Sequence, residues 1–190
     1  VQKPIATTRS ATGIPTGRLA VWWVLASEIV IFGGLLASYV MHRIGHPEWA
    51  VAASHTNTWI GATNTFVLLT SSFTAVLAHQ AAEHGDGRTA AKYLFMTIGG
   101  ACTFILIKSL EWTHEIREGF VIQANGFWSF YYTAAGLHAL HVIAGAIVMA
   151  FVARDAMKGR ELHRVELVGI YWHFVDVIWI FLFPLLYIAK

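Results

Sequence analysis

Charge is what this sequence most lacks: only 13% of its 190 residues are Asp, Glu, Lys or Arg, about half the share of an ordinary soluble domain. With so little polar surface and 56% hydrophobic residues, a water-soluble globule is excluded as the simplest reading. Cysteine is almost absent as well. A single thiol, Cys102, sits in an apolar segment, which rules out a disulfide framework and any CxxC zinc or redox site. The net charge of +2 is too small to point to nucleic acid. Metal chemistry would therefore have to use the ten histidines and eleven carboxylates.

What is present is a series of long apolar runs, and the mean hydropathy is +0.56. Five runs, at residues 19–41, 58–82, 91–112, 127–153 and 167–189, are each near the ~20 residues a helix needs to cross ~30 Å of hydrocarbon. Lipid offers no partner to a backbone amide, so each run is expected to be a helix and the fold class all-α, a five-helix transmembrane bundle. An alternating barrel pattern is absent. A secretory signal is disfavoured for the first run, which is long, carries Glu28 at its middle and has no A-x-A site near its end. Residues 1–17 are expected to be a flexible N-terminal segment, and residues 18–190 the membrane domain.

Basic residues at the ends of the runs predict orientation. Lys3, Arg9, Arg18, Arg88, Lys92, Arg154, Lys158, Arg160 and Arg164 fall on one side, against Arg43, Arg117 and Lys190 on the other. That asymmetry places the N-terminus inside and the C-terminus outside. Trp49, Trp59, Trp112 and Trp128 then lie in the outer headgroup layer.

An ionisable group in hydrocarbon costs ~3 kcal/mol on insertion scales, so each one inside a run must face protein, water or a partner. Glu28 lies in the first run, and Lys108, Glu111, His114 and Glu115 lie towards the outer end of the third. His138 and His141 lie in the fourth and His173 and Asp176 in the fifth, each pair spaced i,i+3 on one helix face. At ~1.5 Å per residue from the inner ends, Glu28 is ~15 Å deep, His141 ~20 Å, His173 ~10 Å and Asp176 ~15 Å. Together with His138 they are candidates for one interhelix polar layer, in which each acid finds an imidazole or indole donor. Lys108, Glu111 and His114 form a second candidate cluster at the outer end. Structural hydrogen bonding is the plain reading of the histidines and Asp176; Glu28, alone among aliphatic residues, better suits a proton-linked or partner-facing role.

The pairs His173-x-x-Asp176 and Glu111-x-x-His114 resemble half of a bundle metal site, but they lie half a bilayer apart. No metal is expected in this chain. Gly33 with Ala37, Gly34 with Ser38 and Gly99 with Thr103 are candidate close-approach pairs, and Pro184 is expected to bend or unwind the last turns. A small proton-coupled transporter built on the polar layer is an alternative, although no inverted repeat is visible among the five runs.

The segments WWVLASEIVIFGGLLASY, TAAGLHALHVIAG and YWHFVDVIWIFLFPLLYI resemble subunit III of the haem-copper respiratory oxidases, cytochrome c oxidase among them, in the short five-helix prokaryotic form. The resemblance runs from about Arg18 to the C-terminus. It implies an accessory subunit that carries no haem or copper itself, those lying in partner subunits, and that packs against subunit I in a bacterial inner membrane, with subunit II and other respiratory subunits nearby. It also implies bound structural phospholipid, support of proton uptake, and protection against turnover-linked inactivation. Glu28 falls on the family's membrane-embedded, carbodiimide-reactive carboxylate, and Glu111 matches a family glutamate. The accessory subunit of a quinol oxidase or a nitric oxide reductase shares the resemblance.

Overall fold

The computed structural model describes residues 16–189. The segment expected to be flexible lies outside the described residues except for Thr16 and Gly17, which begin the first helix.

Six helices follow in chain order: α1 (Thr16–Gly45), the short α2 (Trp49–Ser54), α3 (Thr58–Glu83), α4 (Gly87–Arg117), α5 (Gly126–Met157) and α6 (His163–Phe183). A π-helical turn, Pro184–Ile188, closes the described chain. No strand occurs among the described residues. Five of the helices, the last including the π turn, are long and apolar enough to cross a membrane, so the protein is a multi-pass bundle. The spans exceed the hydropathy windows by several residues because their ends are polar but still hydrogen-bonded as helix.

Side chains at the turns account for those ends. Asn57 accepts from the amides of Trp59 at 3.0 Å and Ile60 at 3.3 Å, and Asn125 accepts from Trp128 at 3.1 Å. Asp86 accepts from Thr89 at 3.0 Å, and the hydrogen bonds from Thr89 hold its carboxyl below the ordinary range. Each satisfies an amide that the first turn leaves orphaned.

Short connections make α3, α4, α5 and α6 alternate in direction and pack in a ring, α3 on α4, α4 on α5, α5 on α6 and α6 on α3. Trp128, Tyr131, Trp172, Trp179, Tyr187 and Phe104 fill the centre and are almost wholly buried. Helix α1 leans on α6 and α5 from outside the ring and buries only Leu25, Phe32 and Tyr39.

The expected close-approach glycines do not act within this chain. A Cβ at Gly33, Gly34 or Gly99 would meet nothing within 4 Å. The tightest contact lies at Gly87, where a Cβ would come 2.1 Å from the Ala156 carbonyl oxygen, so the start of α4 rests directly on the end of α5; Gly126 against Trp49 and Gly100 against Ser71 are also close, at 2.4 and 2.6 Å. Spacing of small residues shows where helices can approach, and the packing of bulky neighbours decides where they do.

Pro184 does more than bend the end of α6. It has no N–H to donate, and the wider turn that follows frees carbonyls, which side chains from three other elements capture. Tyr39 donates to Leu185 at 3.0 Å, Thr58 to Tyr187 at 3.0 Å, and Arg43 to Ala189 at 3.2 Å. Thr56, just after α2, donates to Ala53 at 2.8 Å and reaches Leu186 at 3.5 Å. The C-terminal turn thus joins α1, α2 and α3 at one end of the bundle.

Candidate functional site

The ionisable residues inside the spans occupy separate helix interfaces rather than a single layer. At the first, α1 brings Glu28 to α5, with Glu28 Oε2 3.0 Å from His141 Nε2. The other ring nitrogen of His141, Nδ1, is 2.8 Å from the Leu137 carbonyl oxygen, which can only accept, so Nδ1 carries a hydrogen. Nε2 and Glu28 Oε2 thus meet as a close nitrogen–oxygen contact between α5 and α1, and Oε2 has no hydrogen-bond partner of good geometry among the described residues. Phe32 packs its ring edge on His141 at 5.3 Å, and Tyr171 of α6 reaches the His141 carbonyl at 3.4 Å.

Beside this pair an apolar groove of about 500 Å³ runs between α1 and the α5–α6 surface, lined by Ala20, Val24, Val148, Leu167 and Tyr171, with Arg164 also on its wall. Arg18 of α1 is paired with Glu166 of α6 on the same side of the bundle.

His173 and Asp176 face α3 instead. The Ser72 hydroxyl is 2.6 Å from His173 Nδ1, and Asp176, 4% exposed, lies against the same serine. The indole donors of α6 are engaged by α3 hydroxyls: Trp172 Nε1 donates to Ser71 at 3.2 Å and Trp179 Nε1 to Thr65 at 3.0 Å. His138 is separate again. It stands in the centre of the ring against Phe104 and Trp179, and neither of its ring nitrogens has a hydrogen-bond partner among the described residues. The expectation that each acid finds an imidazole or indole therefore holds for Glu28 only. α6 lies between α3 and α1, so its polar side chains are shared between two neighbours.

The outer-end cluster is real but has a different membership. Lys108 Nζ donates to Glu111 Oε2 at 3.0 Å, to Tyr131 at 2.9 Å, and to Tyr187. Tyr131 in turn donates to Glu115 at 2.9 Å. His114 does not join: it is exposed and pairs with Glu118 at 3.3 Å. At about 100° per residue, Lys108, Glu111 and Glu115 fall within about 60° of one another, whereas His114 is about 100° round from Glu115. Tyr131 and Tyr187 carried no sequence signal, since a tyrosine near a span end reads equally well as an interfacial anchor. Among the described residues no group of three or more His, Cys, Asp or Glu is placed to hold a metal ion.

Five apolar spans, with most of their ionisable groups at helix interfaces, define a multi-pass membrane protein. Within that class the chain belongs to the cytochrome c oxidase subunit III family, whose pattern it matches over residues 9–190. It is 34% identical over 173 residues to the cytochrome c oxidase subunit 3 of Corynebacterium diphtheriae, covering 87% of this chain and 84% of that one. To the cytochrome c oxidase subunit 3 of Thermostichus vulcanus it is 33% identical over 169 residues, covering 86% and 83%. A haem-copper oxidase subunit I+III of Aeropyrum pernix, 29% identical over 187 residues, matches 90% of this chain within 22% of its own length. Membership in the family implies association with other oxidase subunits, and the fused relative points to contact with subunit I.

Proposed function

We propose that this chain is the accessory, non-redox subunit of an aerobic, proton-pumping terminal oxidase of the cytochrome c oxidase type. In this reading it stabilises subunit I in a bacterial inner membrane, with its N-terminus inside, while haem and copper are held by the partner subunits. The observation that carries the proton-linked part is the Glu28–His141 contact, which sets a carboxylate inside a membrane span against an imidazole, two groups able to exchange a proton. Helix α1 is the surface offered to subunit I: it has the least cover within this chain, and Gly33 and Gly34 lie open on it. The family and the relative in which subunits I and III are one chain support subunit I as its occupant.

The α1 groove is proposed to hold structural phospholipid. Its walls accept an acyl chain, and Arg164 and Arg18 supply cations on the side where a phosphate headgroup would lie. Subunit II and further respiratory subunits are more distant neighbours in this reading.

Affinity purification of the tagged chain in a gentle detergent tests the proposal. Haem-bearing partners and phospholipid are expected to co-elute, and the chain alone in liposomes is expected to move no protons. Elution as a lone polypeptide that conducts protons would establish the transporter reading instead.

A further inference from the structure

The cluster around Lys108 does not balance its own charge. Lys108 is 1% exposed, and Glu111 and Glu115 are each 4% exposed. One ammonium and two carboxylates leave a net negative charge sealed between helices, where charge without a partner is strongly disfavoured. Among the described residues, α4 supplies these three titratable groups, α5 supplies Tyr131, Tyr132 and His138, and the π turn supplies Tyr187. No arginine or second lysine among the described residues is hydrogen-bonded to or ion-paired with the cluster. Trp112, Trp179 and the two central tyrosines surround Nζ with ring faces, which favour the charged ammonium.

We infer that the cluster is a proton-binding site, holding one proton on the Glu111–Glu115 carboxyl pair beyond those on Lys108 and the phenols. The neutral state contains this proton whichever oxygen carries it. A hydrogen-bonded path links the two acids: Glu111 to Lys108, Lys108 to Tyr131 at 2.9 Å, and Tyr131 to Glu115 at 2.9 Å, with Tyr187 3.0 Å from Tyr131. Exchange with water takes place at the Glu115 end. Glu115 lies in the last turn of α4, and half-buried Tyr132 stands 3.5 Å from it while donating to the Phe120 carbonyl in the following loop at 2.7 Å. The site is at the opposite end of the bundle from the Arg18–Glu166 pair, and the Glu28 reading does not use it.

Infrared difference spectroscopy of the intact complex, wild type against variant, reads this proton as the carbonyl band of an un-ionised carboxyl group that shifts in heavy water. Glu111→Gln and Glu115→Gln should each abolish one such band, because the remaining carboxylate is then balanced by Lys108. Lys108→Met should double the band, since both acids must then be neutral. If that variant does not fold, the two glutamine variants carry the test. The inference is overturned if neither glutamine variant loses an un-ionised carboxyl band, or if the band is lost on adding sodium at fixed pH, which would make this a cation site. Neither result depends on which subunits co-purify with the chain.

Discussion

Glu28 and His141 tie α1 to α5 through one close contact. Nδ1 of His141 is committed to Leu137, which leaves Nε2 to face Glu28. Glu28→Gln keeps the shape and removes the carboxylate. The complex should assemble normally, while proton pumping or turnover lifetime falls by less than about tenfold, the effect of about 1.4 kcal/mol; oxygen uptake with repeated turnover measures it. Complete loss of oxygen reduction would mean that this chain takes part in the chemistry itself. At the same scale, the candidate residues themselves were readable in the sequence, because an ionisable group in an apolar run always needs an explanation. Their partners were not. Ser72, Tyr131 and Tyr187 are ordinary residues made specific only by the rotation of neighbouring helices, and Glu115 in place of His114 is a matter of about 100° around α4.

Among the elements, the C-terminal turn and the helix starts carry the most testable consequences. Tyr39→Phe removes one captured carbonyl of the π turn and should cost about 1 kcal/mol, seen as a lower midpoint in thermal dissociation of the complex. Gly87→Ala forces a methyl against the Ala156 carbonyl oxygen and should cost about 1–3 kcal/mol through the backbone shift it demands, on the same assay. Asp86 gives a dependence on pH with a definite sign. Its carboxyl is held below the ordinary value in the fold, so its contribution is present above that value and is lost as pH falls below about 4 towards the lowered one. Asp86→Ala should therefore be less stable than wild type at neutral pH, and the difference should shrink in acid. Span number and helical class followed directly from run length, and a break at Pro184 from the amide that proline lacks. Helix α2 was invisible because its six residues give hydropathy no window to act on, and the role of the π turn was invisible because its hydrogen-bond partners come from other helices.

For the whole molecule, the contrast is between a packed four-helix ring and a lightly held α1. The ring satisfies most of its polar groups internally, with α3 hydroxyls receiving the α6 indoles, and interhelix hydrogen bonds of this kind contribute about 0.6 kcal/mol each in a membrane. Helix α1, with Glu28 and the apolar groove on its inner flank, buries only three of its residues within this chain. The central claim is that this chain supports an oxidase whose redox centres lie elsewhere. The most direct measurement is the reduced-minus-oxidised optical spectrum and oxygen uptake of the purified complex before and after this chain is stripped from it. The account predicts that all haem absorbance stays with the remaining subunits and that oxygen uptake begins but decays faster over successive turnovers; haem or copper leaving with the stripped chain would contradict it.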